Sequence, residues 1–256
     1  MSRKAVFLDK DGTLVEDVPY NVDPEQIRLT VGALEAVRSL HLTDYQLFII
    51  TNQSGVARGY FPETALITVE QHLRELFQSV GVPLAGFYYC PHHPDGSVTH
   101  YATHCNCRKP QPGLLLRAAS QHQIDLNQSW FIGDILHDIQ AGRQAGCRTI
   151  LLDNGNETEW QLSPQRLPHH TVNNLIEAAN VIQAIATPPQ TDTQLQNNSV
   201  SPVPKTPETP PMRSASSPPT LIPSEGVWGK RSSPSRGFGG LPPNARITRN
   251  KPCSNP

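Results

Sequence analysis

Short apolar runs that alternate with stretches of helical periodicity constrain this chain more than any other feature. Ala5–Leu8, Gln46–Ile50, Phe87–Tyr89, Trp130–Ile132 and Thr149–Leu152 read as buried strands. Between them, Gly32–Leu40, Glu63–Val80, Pro112–Gln121 and Asp138–Ala145 read as helices, and Leu175–Ile185 closes the series. In the longest of these, apolar residues at 66, 69, 73, 76, 77 and 80 share one helical face. Such alternation predicts an α/β fold, a Rossmann-like parallel sheet with helices on both faces. Sheets of this kind bind ligands outside the carboxyl ends of their strands. Asp9, Thr51 and Asp134 all fall at predicted strand ends, so three distant segments should converge on one edge.

Composition shows where the fold stops. Residues 187–256 hold 15 of the 25 prolines, many serines and few aliphatic side chains. Such a segment buries too little apolar surface to offset its chain entropy, so a disordered tail is expected there and a single domain over 1–186. Residues 1–186 carry 13 Lys/Arg against 19 Asp/Glu, a balance of −6, and the remainder carries 8 against 3, a balance of +5. An acidic folded part argues against a nucleic-acid partner. No apolar run approaches the ~18 residues that span a bilayer, and Asp9-Lys10-Asp11 ends the only apolar stretch near the N-terminus. No membrane partner is expected, and a monomer in the cytoplasm is.

The first strand runs directly into Asp9-Lys10-Asp11-Gly12-Thr13. Carboxylates two residues apart on extended chain face the same way, so Asp9 can attack a phosphorus atom while Asp11 serves the leaving oxygen. An anionic nucleophile facing an anionic ester needs a hard cation between them, and Mg²⁺ suits an oxygen-rich site. Gly133-Asp134, with Asp138 four residues on, supplies a further carboxylate. Thr51 can donate a hydrogen bond to a phosphoryl oxygen, and Lys109 can offset the charge that develops during transfer. Taken singly, each of these is ordinary turn or surface chemistry; their order along the chain is what carries weight.

Asp9-Lys10-Asp11-Gly12-Thr13, Thr51-Asn52-Gln53-Ser54-Gly55, Arg108-Lys109-Pro110 and Gly133-Asp134-Ile135-Leu136-His137-Asp138 together resemble the four motifs of the haloacid dehalogenase superfamily, over roughly residues 4–155. The resemblance implies Asp9 as nucleophile and Asp11 as general acid, then base. It also implies Mg²⁺ on Asp9, the Asp11 backbone carbonyl and Asp134, with Thr51 and Lys109 stabilising the phosphoryl group. An Asp at the second carboxylate position of the first motif suits a phosphatase rather than a dehalogenase.

Cys90-Pro91-His92 and Cys105-Asn106-Cys107 form a C-x-H…C-x-C array with twelve residues between the pairs. Three thiolates and one imidazole complete a tetrahedral zinc set with no open position, so a structural Zn²⁺ is expected to pin this loop beside Arg108-Lys109. His93, His100 and His104 are alternatives to His92, Cys147 reads as a core residue, and Cys253 carries no signal. The zinc loop and its flanks, Tyr89-Cys90-Pro91-His92-His93-Pro94 and Cys107-Arg108-Lys109-Pro110-Gln111-Pro112-Gly113, resemble the heptose bisphosphate phosphatase family, which serves ADP-heptose and lipopolysaccharide synthesis.

A small phosphorylated sugar is then the implied substrate. Asp17, Val18, Pro19 and Tyr20 would line its site with Asn52, Gln53, Ser54 and Arg108, and Arg108 would hold a second phosphate. Histidinol-phosphate phosphatases, with the same ligand types but a shorter loop, are the nearest alternative, and a non-catalytic zinc-stabilised adaptor is a distant one. The intervals 9–51 and 51–109 leave room for a minimal cap only. The Pro/Ser-rich tail has no counterpart in the family pattern.

Overall fold

The computed structural model describes residues 3–186, and these lie within one compact unit. The tail expected over 187–256, with Cys253, lies outside the described residues. Six parallel strands form one sheet in the order β3-β2-β1-β4-β5-β6. They are β1 Ala5–Leu8, β2 Gln46–Asn52, β3 Leu84–Cys90, β4 Trp130–Gly133, β5 Arg148–Leu152 and β6 His170–Val172. The helices are α1 Ala33–His41, α2 Ala65–Ser79, α3 Gly113–His122, α4 Leu136–Ala145 and α5 Leu175–Ala186.

The strands read as unbroken apolar runs because both faces of the sheet are covered. Val6 and Leu8 join Ile49, Val37, Leu73 and Ile182 in one buried layer beneath α1, α2 and α5. Ala5 and Phe7 point the other way and pack with Phe48, Ile50, Leu115, Phe131 and Ala141 beneath α3 and α4. The predicted placement of helices on both faces is therefore observed.

Two boundaries differ from expectation in ways that matter for the site. Strand β2 continues through Thr51 and Asn52, which pair with Tyr89 and Cys90, so Thr51 is the penultimate strand residue and not the first loop residue. Strand β6 was not anticipated: its three residues, His170-Thr171-Val172, carry no apolar run, and they are ordered by pairing with Ile150–Leu152. Among the described residues no helix is long and apolar enough to cross a membrane.

The chain leaves β1 toward β2 on one side, and β4 lies on the other. Neighbouring connections thus diverge from the carboxyl end of β1, which opens a crevice there. Asp9 is the first residue beyond that strand, and its N–H donates to Ile132 O of β4 at 2.9 Å.

Candidate active site

Four charged side chains meet at the carboxyl edge of the sheet. Lys109 Nζ lies 2.6 Å from Asp9 Oδ1 and 2.6 Å from Asp138 Oδ1. It also donates to Ile50 O at 3.2 Å. Asp134 completes the group: one oxygen each of Asp9, Asp134 and Asp138 lie within 4.8 Å of one another. All four residues are buried, with Asp138 wholly inaccessible.

One ammonium cannot balance three carboxylates away from water. Burial raises the pKa of Asp9 well above the usual aspartate value; Lys109 opposes this, and the neighbouring carboxylates add to it. Asp134 is pushed up to about 6, first by burial and then by Asp138, against hydrogen bonds from Asn156 and Thr13. Burial alone would disfavour the charged form of Lys109, yet Asp138 and Asp9 together hold its pKa above the ordinary lysine value. The centre thus lacks positive charge, and its donors are hard oxygens. A small divalent cation such as Mg²⁺ fits on both counts.

The backbone explains why these groups meet. Asn52, at the end of β2, accepts from Lys109 N with Oδ1 at 3.0 Å and donates Nδ2 to Lys109 O at 3.2 Å. Both polar atoms of a side chain expected to contact substrate are therefore engaged in placing the lysine. Gly12 adopts φ +78°, and a Cβ there would run into the Asp134 carboxylate and the Asn156 amide. Glycine is needed because the loop passes directly against the carboxylate it helps to position.

Asp11 stands apart from the three-carboxylate cluster. Its Oδ1 is paired with the buried ammonium of Lys10, and its Oδ2 accepts from Gln53 Nε2 at 3.0 Å. The same amide nitrogen lies 2.9 Å from Thr51 Oγ1, so Gln53 links the second carboxylate to the threonine. A cavity of about 270 Å³ opens beside Asp11, lined by Asp17, Pro19, Tyr20, Asn21, Asn52, Gln53, Ser54 and Gly55. Six of the eight residues expected around a sugar line it. Val18 and Arg108 do not, whereas Asn21 and Gly55 do without having been anticipated. Arg108 is half-buried and donates Nη1 to His92 O at 3.4 Å.

The second cluster is Cys90, His92, Cys105 and Cys107, whose donor atoms all lie within 4.8 Å of one another. His92 Nδ1 is 3.4 Å from Cys107 Sγ and 3.7 Å from Cys90 Sγ, which selects it over His93, His100 and His104. Sulfur–sulfur separations are 3.3 to 3.5 Å. Thiols this close compete for negative charge. Cys105 is held well below the usual thiol range by hydrogen bonds from Cys107 and Cys90, while Cys90 is pushed up to about 12, chiefly by its bond to Cys105. A soft tetrahedral cation would relieve that competition, so the set fits Zn²⁺. Cys147 is buried in the core as expected.

Asp138 is the site residue that sequence reasoning underused. Its four-residue spacing from Asp134 across the start of α4 was the available signal. Asn154 and Asn156, which reach the site from an irregular loop, left no such signal.

Comparison with known proteins adds independent information. Residues 106–178 match a HAD-hydrolase-like family model. The D-glycero-beta-D-manno-heptose-1,7-bisphosphate 7-phosphatase of Pasteurella multocida is 42% identical over 154 residues, covering 60% of this chain and 83% of the relative. The enzyme of the same name from Photorhabdus laumondii is 37% identical over 182 residues, covering 71% and 96%. Among solved structures, the D,D-heptose 1,7-bisphosphate phosphatase from B. bronchiseptica, complexed with magnesium and phosphate, superposes with a TM-score of 0.61 at 31% identity, covering 70% of this chain and 98% of that one.

Proposed function

We infer the reaction from one fact: the chain belongs to the D-glycero-beta-D-manno-heptose-1,7-bisphosphate 7-phosphatase family, within the HAD-like hydrolases. It is a magnesium-dependent phosphomonoester hydrolase that removes the 7-phosphate of D-glycero-D-manno-heptose 1,7-bisphosphate. The geometry that supports this reading is the buried Asp9–Lys109–Asp138–Asp134 centre and the cavity of about 270 Å³ that Asp11 lines.

In the proposed mechanism an Asp9 carboxylate oxygen attacks phosphorus, and the ester P–O bond breaks as the aspartyl phosphate forms. Asp11 gives its proton to the departing sugar oxygen. The Asp11 carboxylate then takes a proton from water, which attacks the phosphoryl group and releases phosphate, restoring Asp9. Asp9, Asp134 and the Asp11 backbone carbonyl would hold Mg²⁺, which when bound neutralises phosphate charge. Lys109 and Thr51 stabilise the charge that builds on the phosphoryl oxygens.

Lys10 and Gln53 hold the Asp11 carboxyl at the cavity wall, and Asn52 positions Lys109. Asp17, Pro19, Tyr20 and Ser54, which line the cavity, contact the sugar.

The test is a panel of phosphate esters with magnesium and EDTA controls. Release from the heptose bisphosphate should exceed that from histidinol phosphate, and EDTA should abolish both. Faster turnover of histidinol phosphate would transfer the assignment to that activity. No turnover of any ester would leave only a non-catalytic scaffold.

The thiolate cluster makes a separate prediction. Purified protein should contain about one equivalent of zinc by metal analysis, given one closed four-ligand set. Cys105→Ala should lose it and fall in activity by roughly 10- to 100-fold, because Cys107 is two residues from Lys109. A zinc-free wild-type protein with full activity and stability would refute the structural role.

A further inference from the structure

The segment after β5, residues 153–159, forms neither strand nor helix, yet one hydrogen bond ties it to a carboxylate of the centre and two more to backbone that flanks it. Asn154 Nδ2 donates to Gly12 O at 2.7 Å. Asn156 Nδ2 donates to Asp134 Oδ2 at 2.9 Å. Glu157 Oε2 accepts from Leu136 N at 2.7 Å. Each bond lands on a different piece of the site: the loop carrying Asp11 and Thr13, the Asp134 carboxylate, and the first turn of the helix that carries Asp138. The segment is also wound on itself, with Asn156 N donating to Asn154 Oδ1 at 3.2 Å and Glu159 N to Glu157 Oε1 at 2.8 Å.

Asp134 is thereby gripped from both sides, since Thr13 Oγ1 donates to its other oxygen at 3.0 Å. Two donors on opposite oxygens fix the rotation of a carboxylate that a single donor would leave free. Both donors are neutral, so they add no charge that would repel a cation. We propose that Asn156 is a positioning residue whose amide orients the Asp134 carboxylate for a divalent cation, with Asn154 and Glu157 anchoring the loop that carries it. The inference rests on the reading that this centre binds such a cation. Groups that orient a metal ligand from behind set affinity as well as geometry.

Asn156 is exposed and lines, with Leu136, His137 and Glu157, a surface cavity of about 180 Å³. Truncating it opens no void in the core, so the fold should survive. The experiment is Mn²⁺ binding to the full zinc-loaded chain, followed by electron paramagnetic resonance. Asn156→Ala should weaken Mn²⁺ binding by roughly 10- to 100-fold. Asn156→Ser, with a hydroxyl too short to reach Oδ2, should do the same, and Asn156→Gln should recover part of the loss. Zinc content should not change, and the Mg²⁺ concentration for half-maximal rate should rise. Mn²⁺ binding within twofold of wild type in both the Ala and Ser variants would overturn the proposal. Wild-type protein with no Mn²⁺ site that Asp134→Asn removes would instead overturn the reading of the centre itself.

Discussion

Asp9→Asn is expected to lower phosphate release by roughly 10⁴-fold or more, because a neutral amide cannot form the acyl phosphate on which both half-reactions depend. The same change should leave the fold intact. Burial already opposes ionisation of Asp9, and Lys109 keeps a second carboxylate partner at 2.6 Å in Asp138. The change removes one carboxylate charge from a centre where three face a single ammonium, and the Lys109–Asp138 pair stays matched. Thermal unfolding of the variant should therefore match wild type or lie above it. A variant that unfolds early would mean that lost activity reports lost structure, and the substitution would then say nothing about the nucleophile.

Lys109→Met should behave in the opposite way, damaging stability and catalysis together. The side chain is 2% exposed and serves two carboxylates at once. Methionine fills much of the space but strands both acids without their cation, and breaking a buried pair from one side costs roughly 3–5 kcal/mol. For a domain of this size each kcal/mol lowers the melting temperature by roughly 2–4 °C.

The deficit should depend on pH. Without the ammonium, the folded-state pKa of Asp9 rises further above the ordinary aspartate value. A raised folded-state pKa means that the stability of the protonated form is present at acid pH and is lost as pH climbs through that pKa. The gap between variant and wild type should thus be smallest near pH 4 and widen toward neutrality, and added Mg²⁺ should narrow it. Melting curves across pH, with and without EDTA, would check each part. A deficit that shrinks as pH rises would contradict the assigned charge balance.

These effects trace to features with very different visibility in the sequence. Ala5–Leu8 and Trp130–Ile132 announce themselves because central parallel strands are apolar on both faces. Asp9 and Asp134 follow from those strands, since a polar residue at such a strand end must lie at the sheet's carboxyl edge. The cysteines of the candidate zinc site are equally plain as residue types, but the choice among four histidines is not. It depends on which ring the loop turns inward, and the folded chain places His92 beside two thiols.

Other parts were hidden for a physical reason. Asn52 reads as a substrate contact, yet its amide reaches across 57 positions to the Lys109 backbone, a pairing that exists only after β2 and the zinc loop are side by side. Asn156 reaches 22 positions back to Asp134 through a loop with no periodicity to read. Strand β6 owes its order to β5 and not to its own three residues. Tertiary contacts made by polar loop residues leave little local pattern, and here they surround the reacting groups.

The most direct measurement is reductive trapping during turnover. Enzyme mixed with the heptose bisphosphate and Mg²⁺ is quenched in acid within milliseconds, treated with borohydride and digested for mass spectrometry. Borohydride reduces an acyl phosphate to the alcohol, so homoserine should appear at position 9 and nowhere else, and be absent without substrate or in Asp9→Asn. Homoserine at another aspartate, or steady turnover with an unmodified Asp9 peptide at every quench time, would contradict the account.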